Sequence, residues 1–156
     1  MGRAKGVTLL LALACVAVFV LSPGGAEVGL CRCSQWWRRV VYVFFHGNVV
    51  HLGMNVYALL YVVFLFPVGM RLLCCALLAA VSVPGVLLGD VPAVGLSGVV
   101  FFLLGGILYM VEDRRRYVLT NVGVIALGVL LPNIAWGVHV WCFVWGLVYS
   151  FVYGRC

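Results

Sequence analysis

The sequence predicts an all-α membrane protein, a bundle of six transmembrane helices with a water-accessible cavity. Hydrophobic residues make up 66% of the 156 residues and charged residues only 9%, and the mean hydropathy is +1.22. This composition is typical of a polytopic membrane protein, and the chain has room for one helical bundle. The net charge of +6 therefore bears on orientation in the lipid bilayer, and no nucleic-acid partner is predicted.

Six apolar runs, separated by charged or helix-breaking residues, predict the spans of a single transmembrane domain over residues 1–156. The spans are residues 6–21, 51–66, 72–88, 97–111, 117–131 and 137–153. The first run could instead be a secretory signal peptide, because small residues suited to cleavage follow it at 22–26. The number of spans that follow favours a helix that is retained.

The motif Gly95-Leu96-Ser97-Gly98 marks the point where a loop becomes the fourth span. The apolar run from Ser97 to the charges at Glu112 is about 22 Å long, whereas a hydrocarbon core is about 30 Å thick. If the charges lie at one membrane surface, Ser97 lies well below the other. Loop 90–96 then reaches membrane depth, where non-helical backbone survives only if it is buried in protein or lines a water-filled cavity. The sequence therefore predicts that Ser97 lies at the base of a water-filled cavity.

The distribution of basic residues predicts that both termini are cytoplasmic. Six spans place the termini on one side, together with Arg3, Lys5, Arg71, Arg114, Arg115, Arg116 and Arg155, and leave Arg32, Arg38 and Arg39 on the other. Since cytoplasmic loops carry the excess of basic residues, the entrance to the Ser97 cavity is predicted to open to the outer face.

Polar residues of the kind used in catalysis converge at the depth of Ser97. His51 and Asn55 share one face of the second span because they are four residues apart, and His139 enters the sixth span from the side of Ser97. Ionisable residues at membrane depth are costly and usually serve a function. His139 can accept the proton of the Ser97 hydroxyl. His51, Asn55 and the Ser97 backbone N–H can donate to an oxyanion.

Each of these residues also has a purely structural explanation. A Gly-x-Ser-Gly sequence in a membrane helix is usually tight packing, and His51 and Asn55 alone could be interhelical hydrogen-bonding groups. It is their combination that indicates hydrolysis.

The seven cysteines show no metal-ligand spacing and are interpreted as packing residues, so neither a metal nor a cofactor is predicted. Four glycines are expected to let the fourth and sixth helices approach closely: Gly98, Gly105, Gly106 and Gly146.

From Trp37 to Gly146 the sequence resembles the rhomboid family of intramembrane serine proteases. The resemblance lies in Trp37-Arg38, in His46-x4-His51-x3-Asn55, in Gly95-Leu96-Ser97-Gly98 with Phe101, and in His139 followed by Gly146. It implies six helices around a water-filled cavity and single-span transmembrane proteins as substrates.

The same resemblance assigns roles to individual residues. Ser97 is implied to be the nucleophile and His139 the general base, with His51 and Asn55 lining the oxyanion hole. Trp37, Arg38 and His46 are implied to shape the first loop. Gly95 and Phe101 belong to the nucleophile motif and support the site.

Three positions depart from the family pattern. Cys142 stands where the family often has glycine three residues after the catalytic histidine, and Phe101 stands where tyrosine is common. Phe101 keeps a ring that can pack on the His139 imidazole but lacks the hydroxyl. The family's glutamate near the end of the second helix is missing, since Phe66-Pro67-Val68-Gly69 occupies that region.

The sequence thus predicts a serine-type endopeptidase that cleaves membrane proteins with a Ser-His dyad. One alternative is a non-catalytic rhomboid-like protein that binds membrane clients, although such a protein is expected to lack the serine or the histidine. A second alternative, a transporter with a histidine relay, leaves Ser97 unexplained and lacks the intramembrane carboxylates that such relays favour.

Overall fold

The computed structural model describes residues 2–130 and 134–154, and within these ranges the chain is helical with no named strand. The helices are α1 (Gly2–Leu21), α2 (Arg38–Val41), α3 (Val49–Leu65), α4 (Met70–Val81), α5 (Ser97–Gly106), α6 (Arg114–Leu130) and α7 (Trp136–Tyr153). Short 3₁₀ turns lie at Ala26–Val28, Tyr42–Phe44, Gly85–Leu87 and Leu108–Met110. The predicted all-α class is confirmed.

Two of these helices, α1 and α7, are long and apolar enough to cross a membrane. A third span results if Arg38–Phe44 and α3 are counted as one, although the two parts are bent by 94°. The bend occurs where Phe45 is extended and the Asn48 side chain accepts the N–H of His51 to begin α3. By length and hydropathy the described residues therefore contain two or three spans.

Two of the predicted spans need correction. The helix predicted over 72–88 ends at Val81, because Pro84 has no N–H to donate and disfavours helical backbone in the residue before it. The helix predicted over 97–111 begins at Ser97 but ends at Gly106 and passes into the Leu108–Met110 turn, since adjacent glycines are poor helix formers. The predicted end of the fifth span at 131 lies outside the described residues.

Helix α5 lies at the centre of the bundle. Seven of its ten residues are buried, and it packs chiefly on α7 and α4. By contrast, α6 buries three residues, Asn121, Ile125 and Gly128, and packs chiefly on α7. The fold therefore holds the Ser97 helix on several sides and leaves α6 at the periphery.

Glycines allow the backbones of α5 and α7 to touch. A Cβ added to Gly105 would lie 2.8 Å from the backbone nitrogen of Leu147, and one added to Gly146 would lie 2.9 Å from the backbone nitrogen of Gly106. Lipid tails are as apolar as the side chains, so membrane helices associate mainly through close packing of this kind. At Gly98, an added Cβ would meet Cys142 Sγ at 3.3 Å. The backbone of Gly106 takes part in this contact with α7, while a Cβ added to Gly106 would meet Leu72 of α4.

We predict that Gly146→Ala destabilises the bundle by about 1–3 kcal/mol, the usual cost of overpacking. The added methyl group would meet the backbone of α5, which cannot move aside as a flexible side chain can. Thermal unfolding in detergent measures the effect. Gly123→Ala on α6 is the matched control, since a Cβ there meets nothing within 4 Å. Equal stability of the two variants would contradict the packing described here.

Candidate active site

Ser97 is the first residue of α5, and Gly95 sets the path of the loop that leads to it. Gly95 has φ of +114°, a conformation that L side chains rarely adopt. A Cβ at this position would lie 2.8 Å from Cε1 of His51 and 3.4 Å from Nδ2 of Asn55. The glycine thus lets the loop backbone lie directly against these two side chains of α3.

The loop before Ser97 is fixed by hydrogen bonds to distant segments. Ala93 and Leu30 exchange two backbone hydrogen bonds of 2.8 Å, and the N–H of Gly95 donates to the Tyr42 carbonyl at 3.0 Å. The N–H of Leu96 donates to Nε2 of His46 at 3.4 Å. Buried non-helical backbone needs such partners, and here the protein supplies them.

His46 joins the first loop to the Ser97 loop. Its side chain is buried, and Nδ1 lies 3.3 Å from the Phe44 carbonyl while Nε2 faces the Leu96 N–H. Since a neutral imidazole has one donor and one acceptor nitrogen, these contacts assign the proton to Nδ1. The ring also lies edge-on to that of His51, with centroids 5.2 Å apart.

Ser97 and His139 form a hydrogen bond across the contact of α5 with α7. The distance from Ser97 Oγ to His139 Nε2 is 2.8 Å, although the residues are 42 apart in sequence. His139 lies in the first turn of α7, so both residues are at the same end of their helices. Both side chains are half-buried. The serine hydroxyl is thus within proton-transfer distance of the imidazole.

Phe101 fixes the orientation of the His139 imidazole ring. The two rings stack with centroids 4.4 Å apart and an interplanar angle of 24°. Phe101 is one turn after Ser97 on the same helix, so α5 supplies both the hydroxyl and the surface on which the imidazole rests. This contact requires no hydroxyl on the aromatic ring.

His51 and Asn55 lie beside the Gly95 loop, and part of the hydrogen-bonding capacity of Asn55 is already used. Asn55 is buried, and its Nδ2 donates to the His51 carbonyl at 3.0 Å. An amide nitrogen has two hydrogens, so one of them stays available to a ligand near Gly95.

Trp37 and Arg38 contact each other rather than the Ser97–His139 pair. Arg38 Cζ lies 5.5 Å from the centre of the Trp37 ring, and Trp37 Nε1 donates to Gln35 Oε1 at 2.6 Å. Trp37 is exposed. Both residues belong to the first loop, at the start of α2.

Sequence reasoning missed three residues that support the site. The buried Tyr42 donates from its hydroxyl to the Ala80 carbonyl at 2.9 Å, Arg39 donates to the Val83 carbonyl, and Asn48 caps α3. An asparagine directly before an apolar run is a recognisable helix-start signal. The contacts of Tyr42 and Arg39 span about 40 residues and have no local sequence pattern.

The family model of the Rhomboid domain matches residues 33–156. The chain belongs to the rhomboid family. It is 28% identical over 125 residues to Rhomboid protease GluP of Bacillus subtilis (strain 168), a match that covers 73% of this chain and 24% of that protein. The chain therefore spans about a quarter of the length of this relative. Membership of the family and the apolar helices identify an integral membrane protein of a rhomboid-type protease family.

Proposed function

We propose that this rhomboid is an intramembrane serine endopeptidase, with Ser97 as nucleophile and His139 as general base. The observation that carries the proposal is the 2.8 Å hydrogen bond between Ser97 Oγ and His139 Nε2. A nucleophile needs a base within this distance, and the base needs an orienting group. The stacked Phe101 ring meets the second requirement.

The pair acts as a dyad without a carboxylate. All four acidic residues of the chain are exposed, namely Glu27, Asp90, Glu112 and Asp113. His139 therefore takes the Ser97 proton as Oγ attacks the scissile carbonyl, and returns it to the leaving amine. Water, activated by the same imidazole, then hydrolyses the acyl-enzyme.

The oxyanion of the tetrahedral intermediate is stabilised by His51, Asn55 and the Ser97 backbone N–H. The first N–H groups of a helix have no intrahelical acceptor, so that of Ser97 is free to donate. The Gly95 loop lies against the His51 ring and the Asn55 amide, which supports a common site. His46 holds this loop through Leu96, while Trp37 and Arg38 shape the first loop.

The membrane arrangement is also part of the proposal. We infer six spans in one rhomboid-like domain over residues 1–156, with cytoplasmic termini and a water-filled cavity that opens to the outer face. The ten-residue α5 is about 15 Å long, half the thickness of a hydrocarbon core. A short helix between the non-helical loop 90–96 and the charges at 112–116 supports a serine below the membrane surface.

The proposed substrates are single-span transmembrane proteins in the same bilayer. A peptide bond can reach Ser97 only if its backbone is extended, because a helix keeps its carbonyls bonded internally. A substrate helix must therefore unwind near its outer end. Glycine and proline lower the cost of unwinding by about 1 and 3 kcal/mol per residue relative to alanine.

We predict that Ser97→Ala and His139→Ala each abolish cleavage of a membrane reporter, and that the double variant is no worse than either. Members of a catalytic unit have non-additive effects. Initial rates in proteoliposomes measure this, with Ser150→Ala as a control that removes the hydroxyl of a buried serine elsewhere on α7. A double variant much slower than both singles would show that the residues are not partners.

For the oxyanion hole we predict intermediate losses. His51→Ala and Asn55→Ala should each lower kcat by about 10²–10³, the usual effect of losing one donor, with residual activity above that of Ser97→Ala. Full activity of Asn55→Ala would contradict a role in the oxyanion hole. The Asn55 amide would then serve only the structure of α3, through its hydrogen bond to the His51 carbonyl.

Substrate choice gives a further prediction. A reporter helix with glycine and proline in its outer half should be cut much faster than an all-leucine helix, at or near the outer face, because only the first unwinds readily. Mass spectrometry maps the cuts. Equal rates, or cuts near the cytoplasmic end, would contradict the outward-facing cavity.

A further inference from the structure

A groove between α5 and α6 lies at the end of α5 opposite Ser97. Its volume is about 430 Å³, and its lining includes Leu104, Val111, Arg116, Tyr117, Thr120 and Asn121. Leu104 belongs to the last turns of α5, and Arg116 to Asn121 belong to the first turns of α6. None of these residues takes part in the candidate active site.

Hydrogen bonds within the protein fix the shape of this groove. The Tyr117 hydroxyl donates to the Leu104 carbonyl at 2.8 Å, and Nδ2 of the buried Asn121 donates to the Tyr117 carbonyl at 2.9 Å. The first bond ties α6 to α5. The wall between these polar groups consists of the apolar side chains of Leu104 and Val111 and the Tyr117 ring. Such a wall suits an acyl chain better than a polar solute.

Three consecutive exposed arginines, Arg114 to Arg116, begin α6, and of these Arg116 lines the groove. Arg114 donates to the Tyr109 carbonyl at 3.4 Å, and Asp113, which also lines the groove, accepts the backbone N–H of Arg116 at 3.0 Å. Within residues 2–130 and 134–154, no ion pair neutralises any of the three guanidinium groups. Arg115 and Arg116 are thus available to an external anion.

We propose that this groove binds an anionic phospholipid, with the phosphate on Arg116 of the groove lining, the neighbouring exposed Arg115 adding positive charge, and an acyl chain along Leu104 and Val111. Guanidinium groups bind phosphate through paired, charge-assisted hydrogen bonds. Basic pockets between transmembrane helices recognise anionic headgroups. The charged side chain and the apolar wall follow one another along the groove, as the headgroup and the acyl chain do in a phospholipid.

A bound lipid would bridge two helices that share few contacts. Since α6 buries three residues, a ligand that touches both α5 and the start of α6 adds contact area where the protein provides little. The lipid therefore stabilises the packing of the N-terminal end of α6 against α5. This role does not depend on whether Ser97 is catalytic.

Native mass spectrometry of the full chain tests the proposal, with phosphatidylglycerol and phosphatidylcholine of identical acyl chains. Wild type should retain phosphatidylglycerol preferentially. Arg115→Gln/Arg116→Gln should reduce its retention by roughly fivefold per arginine, about 25-fold together. The control is Arg3→Gln/Lys5→Gln, which removes two charges from the start of α1, away from the groove. Its retention should equal that of wild type.

A second pair of variants tests the acyl-chain wall with all arginines intact. Thr120→Trp should fill the groove and abolish retention, whereas Leu119→Trp, at an exposed α6 residue outside the groove lining, should not. Equal retention of the two lipids, equal loss in the Arg3/Lys5 control, or full retention by Thr120→Trp would overturn the proposal. So would displacement of the lipid by glycerol phosphate at the same concentration, since that ligand has no acyl chain.

Discussion

The contact between the backbones of α5 and α7 is the constraint on which the Ser97–His139 pair depends. Ser97 precedes Gly105 by eight residues and His139 precedes Gly146 by seven, distances of about 12 and 10 Å along the helices. The glycines bring the two helix axes together at one end, and the 2.8 Å hydrogen bond forms at the other. A larger side chain at either glycine would separate the helices and lengthen this bond.

The second constraint is the loop that precedes Ser97. Buried non-helical backbone must have its polar groups satisfied by protein or water. Leu30, Tyr42 and His46 supply partners for Ala93, Gly95 and Leu96. The residues that hold the loop come from the chain on either side of α2, so the first loop and α2 support the segment that leads to Ser97.

Much of this arrangement could be predicted from the sequence because it follows from local signals. Apolar runs predict the helices, and the start of α5 at Ser97 matches the predicted boundary between loop and span. The end of α4 at Val81 and the 94° bend before α3 were missed. An apolar run reports burial but not whether its backbone is continuous. Pro84 indicates the end of α4, and Asn48 indicates the start of α3 after the bend.

The support of the site was harder to predict, because it depends on contacts between segments far apart in sequence. Nothing near Tyr42 indicates that its hydroxyl meets Ala80 or that its carbonyl meets Gly95. The substitution of phenylalanine for the common tyrosine at 101 is explained by the structure, since stacking on His139 uses only the ring.

The most direct measurement of the central claim is the position of a covalent fluorophosphonate adduct, mapped by peptide mass spectrometry on the membrane-embedded chain. The probe reports an activated serine independently of any substrate. The account predicts an adduct on Ser97 in the wild type and its loss in His139→Ala. An adduct on another serine, or labelling of Ser97 that persists without His139, would contradict the assignment of the dyad.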